Sequence, residues 1–398
     1  MTIGQMESIE NHTIYCDLLR CFRNHGHNVY TISPHEKRTG LKTEYSIDHG
    51  VHMLRIATGN ITEASNLIEK GISTLSVEQI YIKGIKKHFS AVKFDLVIYS
   101  TPPITFSKAI EYVKKRDGAK TYLLLKDIFP QNAVDLGMIT TTGPKSLIYK
   151  IFRHKEKQLY AISDRIGCMS QANVAYVIQH NPEIDPGVVE VCPNSIEVVD
   201  KSVGVEARKQ IREKYGIPLD KKVFVYGGNL GKPQGVDFLI KCLRAQHTPG
   251  AFFLIVGNGT EYGKLEQFLS AEKPENVMLM KRLAKDDYDT MVGACDVGMI
   301  FLDHRFTIPN FPSRILSYMQ AKLPVLAVTD ISTDVGKVVV EGGFGWWCES
   351  NRVEKFRELI DIIIRDNTDR CSMSFDYLKT YYSVEKGYDI IMRHLIMK

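Results

Sequence analysis

Short strand-like segments alternate with helix-like segments along the whole chain, and this alternation constrains the fold more than any other feature. In the first half, runs rich in β-branched and aromatic residues lie at 27–33, 52–58, 94–100, 120–126 and 164–170. In the second half, they lie at 221–228, 251–257, 276–281, 297–302 and 323–328. Helical periodicity separates these runs, as at 15–25 and 104–116. The pattern predicts an α/β protein whose parallel sheets carry helices on both faces.

Two domains are expected from the length of the chain and from a change in character near residue 196. A chain of 398 residues is long enough for two cores of common size. Pro193-Asn194 is a turn signal, and a polar, glycine-interrupted segment follows it. We therefore predict a first doubly wound domain over 1–196, a second over 197–377, and a C-terminal helix over 378–398 that returns to the first domain.

The first domain begins in an unusual way. A doubly wound sheet usually opens with an apolar strand at its centre, but here only Thr2 and Ile3 precede a polar loop. The helix predicted from Thr13 onward resembles the helix that follows such a strand. We therefore expect the first strand to be missing or truncated, and a chain extended before Met1 to be more stable.

Composition argues for a cytoplasmic protein. The apolar runs are far shorter than the ~20 residues of a membrane-spanning helix, and the first thirty residues lack the apolar core of a signal peptide. Residues 1–180 hold 23 Lys and Arg against 16 Asp and Glu, whereas the remainder holds 28 against 30. A basic first half suits an anionic surface or ligand. A generic solvated surface is an equally good interpretation.

The second domain carries a glycine-rich turn between a strand and a helix. The segment VFVYGGNLGKPQGVDFLIKCL places Gly227, Gly228 and Gly231 in this turn and Lys232 beside them. Glycines at such a turn let backbone N–H groups approach a phosphate, and a lysine adds full charge. The alternative is merely a tight connection. A similar turn, Gly257-Asn258-Gly259, follows the next strand.

Later segments complete a recognisable order of strands, turns and helices in the second domain. Arg282 ends a strand, and IPNFPSRILSYMQAKLPV places a proline-rich turn before a helix with Arg314 and Ser317. This order resembles family-4 glycosyltransferases of the GT-B fold along nearly the whole chain. The resemblance implies two Rossmann-like domains facing a central cleft, with a nucleotide-sugar donor in the second domain and an acceptor in the first.

The usual charged residues of that family are replaced in this chain. Its two basic positions in the glycine turn are Asn229 and Gln234, and its two glutamates fall on Pro309 and Ser317. The resemblance nevertheless implies a donor site, in which Lys232 also acts on the departing diphosphate. The implied donor-binding residues are Gly227, Gly228, Asn229, Gly231, Lys232, Gly257, Asn258, Gly259, Arg282, Asn310, Phe311, Pro312, Ser313, Arg314 and Ser317.

In the first domain, KTYLLLKDIFPQNAVDLGMI resembles a family segment in which a basic-aspartate pair follows a strand. Asp127 is the candidate carboxylate for orienting the acceptor or accepting its proton, because it follows a strand end at the proposed cleft. A helix cap or an ion pair with Lys126 is the alternative. We assign Ser100, Thr101 and Lys126 to acceptor binding.

Three segments, DIFPQNAVDLGM, GGNLGKPQG and PNFPSRILSYMQAKLPV, resemble most the N-acetyl-L-fucosamine transferases of O-antigen and capsule assembly. This resemblance implies a retaining enzyme that uses a UDP-sugar and a polyprenyl-diphosphate-linked acceptor at the inner membrane, without metal, cofactor or nucleic acid. The basic amphipathic stretch 147–162 is a candidate membrane contact. A packed helix with a solvated face is the alternative.

Two other functions are compatible with the same fold. A UDP-sugar 2-epimerase would need carboxylates and histidine around the donor sugar, which Pro309 and Ser317 do not supply. The lost glutamates also suit a catalytically silent binding subunit of a polysaccharide-synthesis complex. Asp287 and Asp289 have the spacing of a metal-binding pair, but a helical stretch favours capping and solvent-facing roles.

Overall fold

A computed structural model describes residues 1–61, 67–144 and 146–396 of the chain. It consists of two compact units, and the chain crosses between them twice. Unit 1 comprises Met1–Glu197 and Val384–Lys398, and unit 2 comprises Val198–Ser383. The second crossing therefore lies after residue 383, whereas the sequence placed it after residue 377.

Unit 1 contains two sheets. Its strands are β1 (Tyr30–Glu36), β2 (Glu44–Asp48), β3 (Val51–Thr58), β4 (Leu96–Ser100), β5 (Lys120–Leu125), β6 (Arg165–Cys168) and β7 (Val189–Val191). The strand orders are β1-β3-β2 and β4-β5-β6-β7. All described pairings are parallel except that of β2 with β3. The five predicted strands of this half are present, while β2 and β7 are additions that the sequence pattern did not predict.

Helices cover these sheets. They are α1 (Ile14–Asn24), α2 (Leu67–His88), α3 (Ser107–Asp117), α4 (Gln131–Asp135), α5 (Ser146–Ile162), α6 (Gln171–His180) and, from the end of the chain, α15 (Val384–Ile396). Thr13 caps α1 by accepting the Cys16 N–H at 3.1 Å. Tyr388 of α15 stacks on His25 at 4.0 Å, so the final helix packs on the first.

A cavity of about 710 Å³ lies between β1 and β4. Each of these strands is the edge of its own sheet. The first two residues bond to both edges, because the Met1 amino group donates to the Ile98 carbonyl at 2.7 Å and the Thr2 N–H to the Ile32 carbonyl at 3.4 Å. Burial lowers the pKa of the Met1 amino group to about 5. A strand in the cavity would pair with both edges, and the expected first strand stays a prediction.

Unit 2 contains one parallel sheet. Its strands are β8 (Lys222–Asn229), β9 (Ala251–Asn258), β10 (Val277–Lys281), β11 (Val297–Phe301), β12 (Val325–Thr329) and β13 (Gly345–Glu349). Their order is β10-β9-β8-β11-β12-β13. This is the doubly wound order in which strand sequence reverses at one point, here between β8 and β11. The predicted α/β class is confirmed, and β13, with Trp346-Trp347, is an unpredicted sixth strand.

The unit 2 helices are α7 (Val205–Tyr215), α8 (Val236–Ala245), α9 (Tyr262–Glu272), α10 (Lys285–Gly293), α11 (Arg314–Gln320), α12 (Val335–Glu341), α13 (Val353–Arg365) and α14 (Arg370–Tyr381). The core between sheet and helices includes Phe224, Phe253 and Phe356, all fully buried. Throughout the described part of the chain, no helix is both long and apolar enough to cross a bilayer.

Candidate active-site residues in the two units

The glycine turns of unit 2 lie at the carboxyl ends of β8 and β9, where these strands approach each other closely. The two strands pair as far as Asn229 and Asn258. A Cβ on Gly257 would collide with the Gly228 carbonyl, and one on Gly259 with the Leu230 carbonyl. The glycines of the second turn are therefore required by strand packing, whatever ligand the turn binds.

The two amides that stand at the family's basic positions bond to each other. The Asn229 side-chain amide donates to Gln234 Oε1 at 3.3 Å, and the Gly231 N–H donates to the same oxygen at 3.1 Å. Asn229 and Gln234 therefore close the glycine turn and supply no positive charge. Lys232, within this turn, is exposed.

A tyrosine hydroxyl separates β8 from β11 at the point of reversal. These strands pair over only two residues, ending at Val225 and Gly298. Beyond that point, Tyr318 Oη accepts the Gly227 N–H at 3.2 Å and donates to the Met299 carbonyl at 3.0 Å. The hydroxyl thus replaces direct sheet hydrogen bonds. In open parallel sheets, ligands bind where strand order reverses, at the carboxyl ends of the strands.

Arg314 lies at this opening, against the glycine turn. Its guanidinium stacks 4.4 Å from the centroid of the Tyr226 ring, and Nη2 lies 3.5 Å from where a Cβ on Gly228 would be. Nη1 is buried and makes no hydrogen bond. Within residues 1–61, 67–144 and 146–396, no carboxylate forms an ion pair with Arg314. A partly buried cation without a counter-ion is costly, so this position favours an anionic ligand.

Tyr288 completes the surroundings of Arg314. Its hydroxyl lies against the α-carbon of Gly227, so a side chain on Gly227 would displace it. The Tyr226 hydroxyl donates to the Asn229 carbonyl at 2.8 Å, which ties the ring under Arg314 to the glycine turn. This arrangement was not predicted, because Tyr288 lies between Asp287 and Asp289, to which we assigned capping and solvent-facing roles.

The loop after β11 holds the remaining predicted donor residues near the start of α11. The Asn310 carbonyl accepts the Thr333 hydroxyl at 2.7 Å. Phe311 is buried, whereas Asn310, Pro312 and Ser317 are partly exposed and Ser313 is exposed. Arg282 is exposed after β10, the outermost strand of the sheet. The structure thus brings Arg314 to the glycine turn and leaves Arg282 two strands away from β8.

In unit 1, Asp127 follows the carboxyl end of β5. Asn132 Nδ2 donates to both carboxylate oxygens, at 2.8 and 2.9 Å. Burial is the main reason that the pKa of Asp127 is raised to about 6. Asp127 does not cap α4, whose N-cap is Pro130, and no ion pair to Lys126 exists among the described side chains. Neither the helix cap nor the ion pair with Lys126 therefore occurs among the described contacts.

The neighbouring strand end is bonded to the Asp127 segment. Thr101 Oγ1 accepts the N–H groups of Lys126 and Asp127, at 3.0 and 3.2 Å. Ser100 Oγ accepts the Tyr15 hydroxyl at 3.0 Å. Ser100 and Thr101 are each 1% exposed, so their hydroxyls have partners inside the unit. Burial lowers the pKa of Lys126 to about 8. The acceptor assignment of these three residues stays a prediction.

Two acidic groups resemble cation sites, and each has a basic partner. Asp289 pairs with Lys201 at 2.6 Å and with Lys285 at 2.8 Å. His12, Asp17 and Glu197 lie together in unit 1, and the Arg20 guanidinium donates to both carboxylates. Neither group therefore presents a free set of ligands.

The chain is similar to known glycosyltransferases in sequence and in fold. Residues 207–375 match the family described as Glycosyl transferases group 1. The chain is 24% identical over 304 residues to the probable glycosyltransferase WbjE of Pseudomonas aeruginosa, covering 75% of this chain and 73% of WbjE. It is 22% identical to the putative colanic acid biosynthesis glycosyl transferase WcaI of Escherichia coli K12, covering 62% of this chain and 60% of WcaI. Anabaena Alr3699/HepE in complex with UDP-glucose shares the fold, with a TM-score of 0.68, 14% identity, and 99% and 98% of the two chains covered.

Proposed function

We propose that this chain, which shares its fold with GT-B glycosyltransferases, moves a sugar from a UDP-sugar to a polyprenyl-diphosphate-linked saccharide, with retention at the anomeric carbon. The complex of HepE with UDP-glucose supports a UDP-sugar donor. The name of WbjE supports glycosyl transfer, and that of WcaI, which includes colanic acid biosynthesis, supports a role in building polysaccharide. UDP-N-acetyl-L-fucosamine is the proposed donor, on the resemblance of the sequence motifs.

The observation that carries this proposal is the unpaired Arg314. When the bond between the donor's sugar and its diphosphate breaks, negative charge grows on the leaving diphosphate. A fixed cation stabilises that charge. The Arg314 guanidinium lies against Gly228, and one of its buried nitrogens has no acceptor among the described residues. Arginine is always protonated and offers a planar set of donors that fits phosphate oxygens. In our proposal it replaces the family's basic pair, with Lys232 as a second, exposed cation.

Asp127 is the proposed group on the acceptor side. Its carboxylate is held by Asn132 at the end of β5 and has a pKa of about 6. A carboxylate with a pKa near the working pH can accept the proton of an attacking hydroxyl or orient that hydroxyl. No metal is needed in this scheme, because the charge of the diphosphate is balanced by Arg314 and Lys232.

A lipid-linked acceptor requires contact with the membrane, and α5 is the proposed contact. Leu147, Ile148 and Ile151 in its first turns are 62%, 50% and 47% exposed. Lys150 and His154 lie between and after them and are exposed as well. An apolar strip bordered by basic residues suits the anionic inner face of a bilayer. We therefore propose a cytoplasmic enzyme that binds the inner membrane peripherally.

The membrane contact can be tested by sedimentation with vesicles of phosphatidylglycerol and phosphatidylethanolamine. The pair Leu147→Ser and Ile151→Ser should weaken binding by about tenfold or more, since two apolar side chains are lost from the contact. Ile362→Ser, at a 50% exposed position in unit 2, is the matched control and should bind as the parent does. Equal binding by all three proteins would reject α5 as the contact.

The proposed reaction is tested by UDP release from UDP-sugars, with and without a short polyprenyl-diphosphate disaccharide. A transferase should release UDP, and the acceptor should accelerate that release. A silent binding subunit would release none under either condition. An epimerase would convert the donor sugar to an isomer whether or not acceptor is present. Either of these last two results would overturn the proposal.

A further inference from the structure

A second cavity, of about 210 Å³, lies in unit 1 between α5 and α6. The segment that follows Asp127 forms one side of it through Ile128, Pro130 and Gln131. Tyr149 and Arg153 of α5 form another side, and Tyr176 of α6 closes it. None of the residues assigned to donor or acceptor binding lines this cavity.

The walls of this cavity combine aromatic rings with an ion pair. Arg153 Nη1 donates to Glu156 at 2.6 Å, so these two charges in the walls neutralise each other. The Tyr160 hydroxyl donates to the other oxygen of Glu156 at 2.8 Å. The Tyr176 ring stacks on His180 at 3.9 Å. The cavity therefore offers aromatic faces next to a charge-neutral group of strong hydrogen-bonding atoms.

This combination discriminates between classes of ligand. A lipid chain would remove water from the Arg153–Glu156 pair and offer no hydrogen bonds in place of those to water. A phosphate would meet the Glu156 carboxylate as well as the guanidinium. A sugar ring has apolar C–H faces that pack on aromatic rings, and its hydroxyls both donate to carboxylates and accept from guanidinium groups. The walls thus favour a neutral sugar ring.

The position of the cavity connects two features of the proposed function. The Phe129 ring packs on Phe152 of α5 at 5.0 Å, so the segment that carries Asp127 is fixed to this helix. The exposed residues Leu147 and Ile151 belong to the same turns of α5 as Tyr149 and Arg153. One helix therefore borders the proposed membrane contact on its outer side and the cavity on its inner side.

We propose that the cavity between α5 and α6 binds a sugar residue of the lipid-linked acceptor. This inference rests on the proposed function, since it names the acceptor subsite of the same reaction. A saccharide held here would keep its lipid at the exposed strip of α5 and lie beside the segment that carries Asp127. The acceptor affinity of the enzyme should then depend on Tyr149 and Tyr176.

Binding of a soluble acceptor analogue, a disaccharide diphosphate with a short prenyl chain, tests this directly by calorimetry in the absence of donor. Tyr149→Leu and Tyr176→Leu remove one ring each and should weaken binding by about tenfold or more. Gln131→Ala is a third variant, which keeps the test valid if a ring variant fails to fold. Tyr381→Leu, at a 55% exposed position of unit 2, is the matched control.

Kinetics separates the failure of this inference from the failure of the proposed function. The ring variants should raise the KM for acceptor by about tenfold or more, and leave the KM for the UDP-sugar and acceptor-independent UDP release within about twofold. Unchanged acceptor binding and KM in both ring variants would overturn the subsite while the transferase activity stands. A parent protein that binds the analogue but releases no UDP would instead refute the proposed reaction and leave the sugar site supported.

Discussion

Replacing Arg314 by Met should separate activity from stability. Methionine keeps a long unbranched side chain that can pack on the Tyr226 ring. The partly buried charge costs free energy in desolvation, whereas its contact with the ring returns about 0.5–2 kcal/mol. Because no carboxylate loses a partner, we expect the free energy of unfolding of Arg314→Met to equal that of the parent or exceed it by about 1 kcal/mol.

Activity should change in the opposite direction. Removing one preorganised donor to a developing negative charge costs about 100-fold to 1,000-fold in kcat, or about 2.7–4 kcal/mol. Arg314→Met should therefore lose about 100-fold or more in kcat/KM for the UDP-sugar, measured by UDP release. Lys232→Ala tests the other proposed cation and should lose about 100-fold if that side chain also stabilises the leaving diphosphate.

A matched control is available on the surface of unit 2. Arg244 is 53% exposed and pairs with Glu272, so Arg244→Met removes an arginine that no ligand is proposed to contact. It should keep kcat/KM within about twofold, since exposed ion pairs contribute little. Refutation would come from Arg314→Met retaining more than about a third of the parent activity, or from its unfolding free energy falling by more than about 2 kcal/mol.

Three further predictions concern packing, pH and the sheet of unit 1. Gly227→Ala should displace Tyr288 and cost about 1–3 kcal/mol in thermal unfolding, whereas Gly263→Ala, in open space on a helix, should stabilise by up to about 1 kcal/mol. Similar unfolding curves for both variants would contradict this packing. The raised pKa of Asp127 means that the folded protein binds a proton more tightly than the unfolded chain, so stability is lost as pH rises from about 4 through about 6. Asp127→Asn should therefore stabilise the protein by about 2 kcal/mol at pH 8 and by little at pH 4. The parent's activity should fall as the pH drops below about 6. An effect of Asp127→Asn on stability that does not depend on pH would count against a buried carboxylate. Joining about five apolar β-branched residues to Met1 should raise the Tm by about 2–4 °C over a Gly-Ser extension of equal length, and equal Tm values would reject a strand site between β1 and β4.

Much of the fold was predictable because parallel strands are apolar on both faces. The ten predicted strands all exist, and the glycine-rich segments do end β8 and β9. Two of the three unpredicted strands, β2 and β7, were missed for a common reason. Strand β2 is largely exposed and β7 spans three residues, so neither shows the continuous apolar run on which the prediction depended.

The candidate site was predictable only in part. Arg314 could be named because its motif resembles a family segment. Its surroundings could not, because the three tyrosines around it come from β8, α10 and α11. Tertiary packing brings these residues together, and no local periodicity in the sequence indicates such a contact. The bond between Asn229 and Gln234 is likewise visible only in the folded turn.

The hydroxyls of Ser100 and Thr101 have roles inside unit 1 that the sequence did not indicate. Their assignment to acceptor binding stays a prediction. In the folded unit, their oxygens accept hydrogen bonds from Tyr15 and from the backbone of Lys126 and Asp127. A loop that joins neighbouring strands must satisfy buried backbone N–H groups, and nearby hydroxyls are the groups that do so.

The most direct test of the whole account is mass spectrometry of a polyprenyl-diphosphate disaccharide incubated with the protein and a panel of UDP-sugars. We expect the acceptor to gain the mass of one sugar residue with at least one donor, UDP-N-acetyl-L-fucosamine foremost, and Arg314→Met to form this product about 100-fold more slowly. An acceptor of unchanged mass with every donor, or a product formed equally fast by Arg314→Met, would contradict it.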